Sequence, residues 1–273
     1  MSAHNGNTTG AGEASARLQV LRPHIPEGGI SVKIIGCGGT GSAVARFGCM
    51  FLASLDAPTR VVLIDGDAFD EARLNASRAW FSKPGPKASV LRGDFLPFLA
   101  GSQLTLLAID EYVTEANVSR LIRKDDYVLL CVDSHRARKL VNEHCKTLSD
   151  VTLISGGNDP AEEGKTRGTY GNVQCYIRRN GEDLAPDLGR FHPEIRNPEE
   201  KPAVKGCAEM MASVPQLAFT NLQVAACMCS VFLCTLTLGD PPDTHAISER
   251  CFDIGDGLMR PLPLGNPEAI RTD

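Results

Sequence analysis

The 273-residue chain has no clustered basic run, and its formal net charge is −5. Nucleic acids and anionic bilayers are bound by local excesses of Lys and Arg, so neither is an expected partner. There is no CxxC pair, which removes the spacing on which a four-cysteine zinc site depends. Residues 1–12 are small and polar, without the basic end and apolar stretch of an export signal. Nor is there an unbroken apolar run of roughly 18 residues, the length a membrane helix needs. The best candidate, Leu217–Leu238, is interrupted by Thr220, Asn221, Gln223, Ser230, Thr235 and Thr237, and reads as a helix buried against a sheet. No internal repeat occurs.

What is present is a large apolar fraction, 42 %, and ten cysteines scattered through it. Several lie inside apolar runs such as Val128–Val132 and Val224–Leu238. Scattered cysteines without an export signal point to free thiols in a reducing cytoplasm.

Short apolar strands alternate with helical stretches. Strands are expected at Val32–Ile35, Arg60–Ile64, Leu104–Ile109, Tyr127–Val132 and Val151–Ser155. Helices are expected at Ser42–Leu55, Lys87–Leu99, Asn117–Arg123 and Ser134–Leu148. Continuous apolar strands separated by helices predict a doubly wound, Rossmann-like α/β fold, its mostly parallel sheet covered on both faces. Beyond Gly168 the pattern changes. Val173–Arg178 reads as a more exposed strand, and the polar stretch Asn180–Lys205 as a surface crossover. Ala208–Leu238 reads as helix broken near Pro215, and Arg250–Leu262 as a closing hairpin or edge strands. The expected organisation is a disordered tail over 1–16, one domain over 17–264 and a short tail over 265–273.

Between the first strand and first helix stands Gly36-Cys37-Gly38-Gly39-Thr40-Gly41-Ser42. Glycines permit a sharp turn and close approach to phosphate, and a helix N-terminus supplies N–H donors and a positive dipole. Asp65 follows the second strand, where an acidic residue meets ribose hydroxyls. Together these mark a nucleotide site. Asn75, Arg78 and Lys87 follow, cationic and amide groups that suit a triphosphate better than a nicotinamide dinucleotide. Asp133 ends the fourth strand, at the carboxyl edge of the sheet, where a carboxylate can hold Mg²⁺ against phosphates. Asp67 and Asp70 compete with Asp65 for the acidic role.

As an ordered set, these residues make the chain resemble the ThiF/MoeB/ubiquitin-activating family. The shared marks are Gly36, Gly38, Gly39 and Gly41, then Asp65, Asn75 with Arg78, Lys87-Ala88, and Asp133 followed by Arg138, Asn142 and Cys145. The resemblance implies an ATP-dependent adenylyltransferase that activates the C-terminal carboxylate of a ubiquitin-like β-grasp protein ending in glycine. It implies ATP and Mg²⁺ as cofactors, Asp65 on the ribose, Asn75, Arg78 and Lys87 on the phosphates, and Asp133 on the metal. It also implies a homodimer and a conjugating enzyme as further partners. Cys207 matches the place of a sulfur-acceptor or thioester cysteine, with Cys175 the weaker choice. A thiol beside Lys205 and near a helix N-terminus would be activated as thiolate.

The chain departs from the family at four points. The zinc-binding CxxC pairs are absent, so no zinc is expected. Ala79 replaces the usual Gln after Asn-x-x-Arg, and the loop to Lys87 is short. Ser134 replaces the common Asn or Asp after Asp133, and the N-terminal Arg-Tyr-x-Arg-Gln pattern is missing. A nicotinamide-dependent oxidoreductase and a non-catalytic scaffold of the same fold therefore stand as alternatives.

Overall fold

The computed structural model of the chain describes residues 23–69, 81–190, 192–199, 218–237 and 247–263. The expected tails at 1–16 and 265–273 lie outside these ranges, as do Asn75, Arg78, Cys207 and the proposed helical stretch 208–217.

Five apolar runs form the parallel part of the sheet: β1 (Ile30–Ile35), β2 (Thr59–Ile64), β5 (Leu104–Ile109), β6 (Tyr127–Leu130) and β7 (Val151–Asn158). Their spatial order is β5-β2-β1-β6-β7, every neighbouring pair parallel. In order of succession this is 3-2-1-4-5, the doubly wound arrangement whose direction reverses between β1 and β6. Two small ribbons lie apart from it, β3 (Ala68–Phe69) with β4 (Gly85–Pro86), and β8 (Ala161–Glu162) with β9 (Thr166–Arg167). Beyond β7 the sheet continues antiparallel through β10 (Tyr170–Arg179), with β11 (Glu182–Asp183) beside it, then β12 (Ile247–Asp253) and β13 (Leu258–Pro263). The expected closing hairpin is thus β12–β13 at the sheet's edge.

The helices divide between the two faces. α1 (Gly39–Ala53), α2 (Lys87–Phe95) and α6 (Ala218–Thr237) cover one face, packing Val44, Leu52, Leu91, Met228 and Phe232 on alternate strand residues such as Val32, Leu63, Leu129 and Ile154. α3 (Val118–Leu121), α4 (His135–Cys145) and α5 (Pro193–Arg196) lie on the other, against Ile64, Val128, Leu130, Leu153 and Tyr176. The period-2 alternation of strand side chains feeds both cores. α6 is long and apolar enough to cross a membrane, with a mean hydropathy of 1.6 over its window. It packs against α1, β7 and β10, as its polar interruptions suggested.

Two expectations are corrected. β10 is not an exposed strand: Val173 through Ile177 are buried, because α6 covers one of its faces and the following segment covers the other. That segment is not merely surface either. Leu188 and Ile195 enter the α4-side core, and the Leu188 amide donates to Asn142 Oδ1 at 2.9 Å. Lys33, an unexpected cation within β1, is held by Asp126 at 3.3 Å and donates to Ser31 Oγ at 3.1 Å, so its burial leaves no isolated charge.

Leu153 is fully buried in the middle of β7. Leu153→Ala is expected to destabilise the fold by about 2–5 kcal/mol, read as a lower denaturant midpoint at an unchanged m-value.

Candidate nucleotide site

The turn between β1 and α1 is set by two close approaches. Gly36 has φ +88°, and a Cβ on it would lie 2.8 Å from the Cys131 carbonyl oxygen. A Cβ on Gly41 would lie 1.8 Å from the Gly36 carbonyl oxygen. Only glycine lets the first turn of α1 rest on the end of β1 and lets β1 approach the end of β6. At Gly39 a Cβ would meet the Asn221 side-chain amide at 2.4 Å, and Asn221 Oδ1 accepts from Thr40 Oγ1 at 3.1 Å, joining α6 to the same turn. Gly38 differs. It is the N-cap of α1, offers no side-chain cap, and its missing Cβ faces open space. The helix begins at Gly39, three residues ahead of the expected Ser42, so first-turn N–H groups without intrahelical partners open beside the turn.

Asp65 stands directly behind this loop. Its Oδ2 accepts from the Cys37 amide at 2.6 Å and its Oδ1 from the Asp67 amide at 2.7 Å. Burial raises its pKa above the usual carboxylate range, against the lowering pull of those two amides and of Lys87. Each oxygen keeps a second acceptor position, so a hydroxyl pair can still be received. Lys87 pairs with Asp67 at 3.0 Å. Asp67 also accepts from the Tyr112 hydroxyl at 2.6 Å, and the Tyr112 ring lies where a Gly66 Cβ would stand. The structure therefore gathers the glycine turn, Asp65 and Lys87. Asp65 holds the loop and Asp67 holds the lysine, while Asp70 lies outside the described residues.

Asp133 is exposed just beyond β6, and the next residue, Ser134, caps α4 by accepting from the Ala137 amide at 3.3 Å. The buried Arg138 fixes this corner. Its Nε and Nη2 donate to the Val132 carbonyl at 3.1 and 2.8 Å, Nη2 also to Gly156 O at 2.9 Å, and Nη1 to Ser155 Oγ at 3.1 Å. Gly157 has no side chain because a Cβ there would lie 2.5 Å from Nη2. Asn75, Arg78 and Cys207 fall outside the described residues. Cys175, the second candidate thiol, does not fit an acceptor role: it is buried in β10 beneath α6, and burial pushes its pKa up to about 12.

The sequence did not single out Tyr112 or the Gly66 contact, and Asn221 was visible only as a polar break in an apolar helix. No motif signals Tyr112, which stands just beyond the end of β5, the strand paired with β2.

A strand, a glycine turn and an uncapped helix at the first crossover, backed by an acid after the second strand, define a Rossmann-like nucleotide-binding domain. Within that class the assignment is specific: the ThiF family matches residues 29–254, and the chain belongs to it. Solved structures agree on the fold. PaaA is 16 % identical with a TM-score of 0.59, over 86 % of this chain and 64 % of its own. Escherichia coli MccB, solved with ATP, is also 16 % identical at 0.59, over 87 % of this chain and 64 % of its own. The microcin C7 biosynthetic enzyme MccB, solved with N-formylated MccA, is 15 % identical at 0.58, over 87 % and 65 % respectively. The chain thus spans under two thirds of the length of each. No curated protein matches it.

Two glycine variants separate loop architecture from ligand contact. Gly41→Ala, forced against the Gly36 carbonyl, is expected to lower thermal stability. Gly38→Ala is expected to keep wild-type melting without ligand and to lose at least about tenfold in nucleotide affinity, roughly 1.4 kcal/mol, because its methyl fills the phosphate cradle.

Proposed function

We propose that this protein is an Mg-ATP-dependent adenylyltransferase that activates the C-terminal carboxylate of a ubiquitin-like protein. The observation that carries the reading is the uncapped N-terminus of α1 at Gly38, open on its ligand side and backed by Asp65 and Lys87. Membership of the ThiF family supports it. So does MccB, an enzyme solved with the ATP analogue AMPCPP together with MccA.

In the reaction a carboxylate oxygen attacks the α-phosphorus of ATP. The new O–P bond gives an acyl adenylate, and the bond to the bridging oxygen breaks to release pyrophosphate. The amides of the α1 N-terminus hold phosphate oxygens, and the free acceptor positions of Asp65 receive the ribose hydroxyls. Lys87 exchanges Asp67 for non-bridging oxygens, alongside Asn75 and Arg78, and so favours the charge that builds up in the transition state. No cluster of three metal-ligating side chains occurs among the described residues. A single carboxylate, Asp133, suits Mg²⁺, which is bound through one or two carboxylates with phosphate and water supplying the rest. When bound, the ion neutralises phosphate charge at the reacting centre.

Transfer of the activated acyl group to a thiol would fall to Cys207. Every described cysteine with a shifted pKa is shifted upward, burial being the leading cause, and none is poised as thiolate. The free thiols suit a reducing cytoplasm. A second copy of the chain and a conjugating enzyme complete the proposed set of partners.

The test is ATP–pyrophosphate exchange with candidate ubiquitin-like proteins ending in glycine. Wild-type exchange should require the partner's free carboxylate and vanish when that terminus is amidated. Asp133→Ala and Lys87→Met should each lower kcat by about 10²-fold or more. Exchange that is indifferent to the amide, or unchanged in both variants, would sink the proposal.

A further inference from the structure

The segment that folds back over β10 ends in a charged cluster outside the nucleotide site. His192, just before α5, places Nδ1 2.6 Å from Glu194 Oε1, and Nε2 3.0 and 3.1 Å from the two oxygens of Glu249. Glu249 is 3 % exposed on β12 and also accepts from Asn172 Nδ2 at 2.7 Å. With carboxylates at both ring nitrogens, the imidazole is a double donor, which only its protonated form can be.

The cluster bridges two parts of the chain. On one side is the crossover over 184–190 and 192–199, seated on α4 through Leu188–Asn142 and held by Arg196 donating to Gly189 O at 2.8 Å. On the other is the antiparallel sheet edge. Asn172 pairs in register with Gly157, which packs on Arg138, which holds the Val132 carbonyl next to Asp133. Contacts across the sheet therefore link Asn172 and Glu249 of the cluster to the Asp133 corner.

We infer that His192 is a positioning residue whose imidazolium clasps the crossover to β10 and β12, and so fixes one wall of the path by which a polypeptide carboxylate reaches Asp133. The functional half of this rests on the adenylation reading; the clasp itself does not.

The groups that face the clasp are few. Glu194 comes from α5, Glu249 and the Cys251 thiol from β12, Asn172 and the Tyr170 hydroxyl from β10, and His135 and Arg138 act on Glu194 from α4. Burial opposes protonation of His192, but the bonds and charges of Glu249 and Glu194 outweigh it and hold its pKa above the ordinary value. The pKa values of Glu249 and Glu194 are depressed, although burial pulls the other way. A raised imidazole pKa gives stability that is full below the ordinary histidine value, near 6.5, and lost as pH rises through the folded value. The depressed carboxylates keep their share above about 4.3 and lose it only as pH falls through their folded values. The clasp is therefore closed below the ordinary histidine value and opens as pH rises through the raised folded value.

The experiment follows the imidazole resonances by NMR and amide exchange over 184–199, corrected for intrinsic rates, against pH. In the wild type His192 should titrate above 6.5, and protection of the segment should fall roughly tenfold across the same midpoint. His192→Gln should show the low protection at every pH, and Glu194→Gln should move the midpoint down. In pyrophosphate exchange, KM for the polypeptide should rise with pH along that midpoint, while kcat and KM for ATP stay level. A His192 titration at or below the ordinary value, or wild-type protection in His192→Gln, overturns the clasp. A polypeptide KM that ignores the transition overturns its positioning role. Absent exchange in the wild type overturns the adenylation reading alone, and the imidazole titration then decides the clasp by itself.

Discussion

The hydrogen bond from the Cys37 amide to Asp65, 2.6 Å long, ties the end of β2 to the turn after β1 and gives the remaining features their places. A carboxylate half-buried behind a helix N-terminus is costly unless amides satisfy it. Here two amides do, and the cost is repaid as a loop held in one shape. Because the loop cannot relax, Gly36 and Gly41 must remain without side chains, and α1 must start at Gly39 with its first amides turned outward. The site is thus a consequence of backbone packing, onto which only a few side chains are added.

A second device governs the other side of the crevice. Arg138 spends four hydrogen bonds on two carbonyls and a hydroxyl, none of them charged. No carboxylate among the described residues contacts this buried guanidinium, and its charge is tolerated because its donors are satisfied. In return it joins the end of β6 to β7 at the point where Asp133 leaves the sheet. From there the antiparallel extension continues outward through Gly157 and Asn172 to Glu249 on β12. A chain of contacts thus joins the nucleotide corner to the strand on which the crossover rests.

Much of this was legible in the sequence. The parallel strands were found within a few residues, because buried parallel strands are continuous apolar runs and the helices between them keep a separate period. The glycine turn, Asp65 and Lys87 were legible because their order along the chain follows the order of the fold. α1 begins three residues ahead of its apolar periodicity, since Gly39-Thr40-Gly41 has poor helix propensity and takes helical form through contact with β1 and Asn221. β10 reads as exposed because Asn172, Gln174 and Arg178 alternate with apolar residues; α6 buries one of its faces and the polar crossover the other, through sparse apolar residues such as Leu188 and Ile195. Asp67 and Tyr112 share the lysine's surroundings through contacts across 20 and 45 residues of chain, and no local pattern records such distances.

The central claim is that this crevice takes Mg-ATP, and thermal unfolding with and without ligand tests it most directly. A ligand that binds only the folded state stabilises it by about 2.7 kcal/mol at a hundredfold excess over its Kd. The account predicts a raised melting temperature with Mg-ATP, a much smaller shift in Asp133→Ala, and none with NAD. A shift with NAD and not with Mg-ATP would contradict it and return the fold to the dehydrogenases.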